Sequence, residues 1–206
     1  MPAEPGTGVV VRTQNALEQW IYRLNEADHW IFRLYDWGNE VWAALAFRGT
    51  RRRASALDVT VEAGERRARV RFLTAADVDT FATLLAGFDV KYLPPHGLDR
   101  QAAGAALRRR SYVPIGIFVD DCLVGYILLR LFFPRRAVTG IWMLASTHNA
   151  KLGRRTLQEA VDFLRREDLA NYCTIPLDNT PSIKIAHACG WRIVRTNQRF
   201  HVLYQR

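Results

Sequence analysis

The stretch DNTPSIKIAHACGW, residues 178–191, decides how the chain is read. Asp178 and Asn179 are natural N-cap residues, Pro181 suits the first helical turn, and Gly190 is a natural stop just past a helix end. Between these signals runs a short helix with its apolar residues on one side. Capping explains Asn179 and Gly190. It explains Ser182 less well, and it does not say why a large aromatic, Trp191, follows the glycine.

Working outward, residues 171–177 read as a strand, and 191–194 with 200–204 close the chain as a hairpin. Upstream stands GIWMLASTHNAKLGRRTLQEAVDFL, residues 140–164. The spacing predicts a strand over 138–145, a turn through STHNAKLG, and a helix over 154–166 with Leu157, Val161 and Leu164 inward. A turn that leads backbone N–H groups into a helix start is a seat for an anion, because those first amides have no partner in the helix and the dipole is positive there. Lys151, Arg154 and Arg155 add charge at the same place.

Before this lie two apolar runs, 113–119 and 122–133, joined at Asp120-Asp121 as a hairpin. Asp99 opens a helix to about Arg110. Thr74 and Asp77 make a capping-box-like start for a helix over 75–86, preceded by a short strand at 70–73. From that strand onward the order is β-α-α-β-β-β-α-β-α-β-β, a mixed α/β layer structure. Residues 1–67 read as an extension. It has a helix over 14–26, with Leu17, Trp20, Ile21 and Leu24 on one face, and a β-rich part over 30–62. There, WIFRLYDWGNEVWAALAFR is read as two strands turning at Gly38-Asn39, GTRRRAS as a polar loop, and ALDVTVEAGERRARVRFL as a hairpin. The Trp-rich segment 20–47 suits core packing, a contact with a second copy of the chain, or an acceptor-binding lid.

Composition sets outer limits. The 206 residues are enough to bury a substantial core. No apolar run reaches the roughly 20 residues of a membrane-spanning helix. The start MPAEPGTG lacks the pattern of a secretory signal, so the cytoplasm is the expected location. Cys122, Cys173 and Cys189 lack metal-site spacing and read as small core residues. His29, His96 and His201 are scattered, so no metal site is readable. The net charge is +9, almost all of it guanidinium, which suggests an anionic partner. The patches Arg51–Arg53 and Arg108–Arg110 lack the interleaved aromatics of a nucleic-acid-binding sheet, so nucleic acid is not the expected partner.

Together the C-terminal segments resemble the GNAT superfamily of acyl-CoA-dependent N-acetyltransferases. The element order agrees, and the superfamily's tail pattern is met by Asn179, Ser182, Ile185, Gly190 and Trp191. HNAKLGRRTL sits where its pyrophosphate-binding run should be. The resemblance covers about Arg69 to Tyr204. It implies acetyl-CoA, or another acyl-CoA, as co-substrate and an amine as acceptor. Trp142, Met143 and Leu144 would offer main-chain groups to the pantetheine arm, between strands that diverge. The run His148, Asn149, Ala150, Lys151, Leu152, Gly153 and Arg154 would hold the pyrophosphate. Asn179 would bond the pantetheine, and Ser182 would lie near the thioester sulfur as the candidate general acid.

The departures from the family are informative. His148 stands for the usual Gln or Arg. Lys151 stands for a glycine that lets backbone approach phosphate closely. Ala186 occupies the place of a common catalytic Tyr. No Asp or Glu lies on 138–145, so the usual source of a general base is missing, and His187, Asp178 and Tyr204 are the substitutes left open. A rival reading follows from these gaps: a protein of this fold that binds acyl-CoA or a partner without turnover.

Overall fold

The computed structural model describes residues 30–88, 97–147 and 151–205. The chain divides into two compact units, Met1–Val41 and Trp42–Arg206. The helix expected over 14–26 lies outside the described residues.

The segment read as strands and a loop is helical: α1 spans Trp30–Ala46 and α2 spans Arg48–Ser55. Aromatic residues favoured the strand reading, yet Ala43, Phe47, Thr50 and Ala54 are buried at i, i+4, i+7 and i+11. That single helical stripe runs through both segments, and it overrides the turn signal at Gly38-Asn39 and the polarity of GTRRRAS. The β-rich reading of 30–62 therefore holds only from Asp58. The hairpin β1 (Asp58–Ala63) and β2 (Arg66–Phe72) joins the main sheet, so the larger unit reaches back well before the expected boundary at residue 68.

Two arginines of α2, Arg51 and Arg53, bond to distant parts of the chain. Arg51 donates to the carbonyl of Arg109 at 2.9 Å and to that of Tyr112. Arg53 and Thr50 both donate to Glu167, at 2.6 and 2.7 Å from its Oε2. The Glu167 side chain is only 5% exposed. The Arg53 guanidinium holds its carboxyl below the usual carboxylate range, helped by Thr50 and opposed by burial. A depressed carboxylate contributes stability that is full above its unfolded value near 4.5 and lost as pH falls through the lower folded value. Glu167→Gln is expected to lower stability by about 2 kcal/mol at neutral pH and to flatten the acid limb of the stability curve. Thermal melts down through the carboxylate range check this; parallel curves for both proteins would refute it.

The remaining elements follow the expected order. They are α3 (Val78–Ala86, entered through a 3₁₀ turn at Ala75–Asp77), α4 (Arg100–Arg108), β3 (Tyr112–Val119), β4 (Cys122–Phe132) and β5 (Arg136–Met143). Then come α5 (Leu152–Arg166), β6 (Ala170–Pro176), α6 (Thr180–Ala188), β7 (Arg192–Thr196) and β8 (Phe200–Gln205). The capping box at Thr74/Asp77 is formed, and Asp99 caps α4 by accepting from Ala102 N–H at 2.6 Å. Asp120 and Asp121 both have positive φ, as a two-residue hairpin turn between right-twisted strands requires.

The eight strands form one mixed sheet in the order β1-β2-β3-β4-β5-β6-β8-β7. Only the β5–β6 pair is parallel, with α5 as its crossover. One face of the sheet packs against α2, α5 and α6, and the other packs at β3 and β4 against α3 and α4. Cys173 and Cys189 lie in the core as expected, whereas Cys122, at the hairpin turn, is exposed.

Candidate active site

The site follows from a failure of pairing. β5 and β6 are bonded only at Arg136↔Ala170, Ala137↔Asn171 and Val138↔Tyr172, after which each continues along a different neighbour. Thr139 and Asn171 clasp the base of this V, Oγ1 to Oδ1 at 2.7 Å, both buried.

Register says which backbone groups line the opening. Leu144 N–H donates to Val124 C=O at 2.9 Å, and the β4–β5 register runs unbroken, so the even residues of β5 face β4 and the odd ones face away. Leu177 N–H donates to Arg199 C=O at 3.2 Å, so the odd residues of β6 face β8. The N–H and C=O of Ile141 therefore point into the gap from one side, and those of Thr174 from the other. Trp142 and Leu144 direct their backbone groups at β4, and Met143 directs its own at the opening. Ile141 was not singled out in the sequence, although strand alternation, once anchored, selects it.

Both strands run into helices at the open end of the V. α6 is capped from within: Asn179 Oδ1 accepts from Ser182 N–H at 3.3 Å. α5 is not. Lys151 occupies its N-cap with no side-chain cap and with φ 57°, the left-handed conformation that a glycine would adopt without strain. Among the described residues nothing caps the first amides of α5, at Leu152, Gly153 and Arg154, and no acid stands in the first turn, so these amides suit an anion. Gly153 lies close against the end of β5, where an added Cβ would sit 3.2 Å from the Met143 sulfur. His148, Asn149 and Ala150 lie outside the described residues.

The predicted residues are thus drawn together in part. Lys151, Leu152, Gly153 and Arg154 flank one side of the mouth, and Asn179 and Ser182 the other. His187 sits in the last turn of α6, away from the mouth, with Nδ1 3.0 Å from Trp191 C=O. Trp191 itself is 1% exposed, and its N–H reaches back to Ala186 C=O at 3.1 Å across Gly190 at φ 91°. This is a Schellman closure whose aromatic anchors the helix in the core. It gives the aromatic after the glycine a structural reason.

On the opposite face from α5, the Trp142 indole folds flat over Gly140 and stacks on Tyr126 at 5.0 Å and 14°. A Cβ on Gly140 would lie 2.3 Å from the indole, so only glycine permits this arrangement. Burial pushes the Cys173 thiol up to about 12 and the Cys189 thiol up to about 11, so neither is a nucleophile near neutral pH. No cluster able to hold a metal occurs among the described residues.

An opening of this kind fits a pantetheine arm, whose two amides can bond to strand edges as an added strand would. The uncapped helix start beside it fits a pyrophosphate.

The same architecture is found in solved structures. The GNAT domain of PAT from S. lividans superposes with a TM-score of 0.62 at 12% identity, over 72% of this chain and 95% of that one. The PaiA N-acetyltransferase of Thermoplasma acidophilum, in complex with coenzyme A, gives 0.59 at 14% identity, over 68% and 98%. RimJ of Mycobacterium smegmatis, in complex with CoA-disulfide, gives 0.55 at 17%, over 71% and 85%. No curated protein matches the chain by sequence. The family model of the GNAT acetyltransferases matches residues 79–191, more than half of the 206. With the divided strands, the uncapped helix start and that match in agreement, the chain belongs to the GNAT acetyltransferase family.

Proposed function

We propose that the protein is an N-acyltransferase that moves an acyl group, most simply acetyl, from acyl-CoA directly to an amine. The observation that carries this reading is the V between β5 and β6, with Ile141 and Thr174 open on its two sides and the uncapped α5 at its mouth. Pantetheine lies between the strands, and the pyrophosphate rests on the amides of Leu152, Gly153 and Arg154 beside Lys151. Asn179 bonds the pantetheine with the part of its amide that capping does not use.

The amine nitrogen attacks the thioester carbonyl carbon, forming the C–N bond. Ile141 N–H stabilises the oxyanion that develops. As the intermediate collapses the C–S bond breaks, and the departing sulfur takes a proton from Ser182 Oγ, which water restores. The proton lost by the amine goes to solvent. Direct transfer agrees with the high thiol values of the buried cysteines. Holding amine and thioester together supplies much of the rate.

Isothermal titration with acetyl-CoA, followed by amine-dependent thiol release, tests the reading. Binding without release for any amine would leave a coenzyme-binding protein instead. Ser182→Ala is expected to lower kcat about tenfold, with little change in KM for acetyl-CoA. That is below the 10²–10⁴ usual for general acids, because a thiol with a pKa near 8.5 already leaves readily as thiolate. An unchanged kcat would remove Ser182 from the acid role.

A further inference from the structure

The closed end of the V bounds any acyl group whose carbonyl is placed at Ile141. β5 and β6 last pair at Val138↔Tyr172, and only Thr139 and Gly140 separate that rung from Ile141. At about 3.3 Å of rise per residue, those two residues span roughly 7 Å. Van der Waals contact with the closed end takes about 3.5–4 Å of this. What is left beyond the carbonyl is room for one or two further carbons.

Both faces of the sheet are walled at this level. Strand alternation puts Thr139 and Asn171 on the face that α5 covers, together with Ala137, Ile141 and Cys173. Thr139 and Asn171 are buried, and the 2.7 Å bond from Thr139 Oγ1 to Asn171 Oδ1 crosses from β5 to β6 where the ladder stops. Asn171 is in turn directly opposed to Gln205 of β8. Asn171 Nδ2 and Gln205 Oε1 are a buried donor and a buried acceptor, neither with a partner among the described residues, and a small rotation of either amide joins them. Gln205 Nε2 donates to Cys189 C=O at the end of α6. Polar side chains of three strands thus form one file through an otherwise apolar core, and hydrogen bonding along it fixes the position of Asn171. Aliphatic residues at 139 and 171 would suit such a core, but they would leave the parting strands untied. On the opposite face the Trp142 indole lies over Gly140, where an added Cβ would come within 2.3 Å of it.

From this closure we infer that Thr139 and Asn171 set the length of the acyl group: acetyl and propionyl fit, and butyryl and longer chains do not. The inference rests on the acyltransferase reading above and narrows its acyl donor. A longer chain has to push the clasp aside, and forcing extra methylenes against packed, hydrogen-bonded side chains costs more than their burial returns.

Calorimetric titration of the full chain with CoA and with acetyl-, propionyl-, butyryl- and hexanoyl-CoA tests this, and needs no acceptor amine. Affinity is expected to stay within about threefold from acetyl to propionyl and to fall at least about tenfold at butyryl. Thr139→Ala and Asn171→Ala each remove atoms from the wall, and each should bring butyryl-CoA to within about threefold of acetyl-CoA. Unacylated CoA, titrated alongside, shows whether the V is intact in each variant. Because both alanine variants break the clasp, Thr139→Ser accompanies them: it keeps the hydroxyl that bonds Asn171, removes one methyl, and should narrow the gap between butyryl- and propionyl-CoA. Hexanoyl-CoA held by the wild type as tightly as acetyl-CoA would overturn the inference. So would variants that bind CoA yet keep the wild-type chain-length profile. A wild type that binds no CoA at all is a different failure, that of the acyltransferase reading itself.

Discussion

Ile141→Pro is expected to lower kcat about 10²- to 10³-fold, the loss typical of removing one oxyanion donor. Proline replaces the N–H directed into the V with a ring methylene and the partly buried Ile141 side chain with a smaller one, and the register makes that N–H dispensable to the sheet. The β4–β5 ladder uses the even residues of β5, so nothing in it depends on Ile141 N–H. The sheet already contains a proline in such a place. Pro114 of β3 has its backbone turned toward β2, where its carbonyl accepts from Leu73 N–H at 2.9 Å, and β2 pairs no further than Phe72↔Ile115. Proline is tolerated in strands only on a side that asks for no donor. Two controls separate lost chemistry from lost fold: the melting temperature, and calorimetric affinity for CoA lacking an acyl group. A variant that folds, binds CoA and turns over at the wild-type rate would show that the oxyanion is held elsewhere.

Trp191→Ala is expected to destabilise the protein by about 3–5 kcal/mol, in the range for large aromatics removed from cores. Trp191 is 1% exposed and among the largest fully buried side chains. Removing it opens a cavity and releases the hydrophobic anchor of the Schellman closure at Gly190. Denaturant unfolding should show a lowered midpoint with a similar slope. α6 carries Ser182 and Asn179 at its far end, so acetyl-CoA affinity should fall as well, because the helix mouth is positioned by this anchor. A loss below about 1 kcal/mol, the ordinary surface scale, would mean that the helix end is held by other contacts.

Much of the fold was readable because chain-local signals agreed with tertiary demands. Thr74 and Asp77, Asp99, Asp120-Asp121 and Asn179 each mark a boundary by a hydrogen bond or backbone conformation that the structure forms. Residues 30–55 went the other way. Their aromatics match strand preference, and only the long stripe Ala43, Phe47, Thr50, Ala54 reveals helix, since it crosses the boundary between two segments read separately. The arginines there looked like a surface patch. Their partners, Glu167 and the carbonyls of Arg109 and Tyr112, lie far along the chain, where no local pattern points to them.

The site was legible to the level of its segments and no finer. The tail pattern located the helix that begins at Asn179 and Ser182 and ends at Gly190, and the turn before α5 located the helix start whose amides are proposed to hold the pyrophosphate. The choice among Ile141, Trp142, Met143 and Leu144 depends on which residues spend their backbone groups on β4. That parity is set by one hydrogen bond, Leu144 to Val124, across strands that a sequence does not align.

The most direct measurement is a crystal structure of the protein grown with acetyl-CoA. The pantetheine amides are expected to bond to main-chain groups of Ile141 and Thr174, with the pyrophosphate on the amides that begin α5. Coenzyme bound elsewhere on the molecule, or β5 and β6 closed upon each other with the coenzyme excluded, would contradict it.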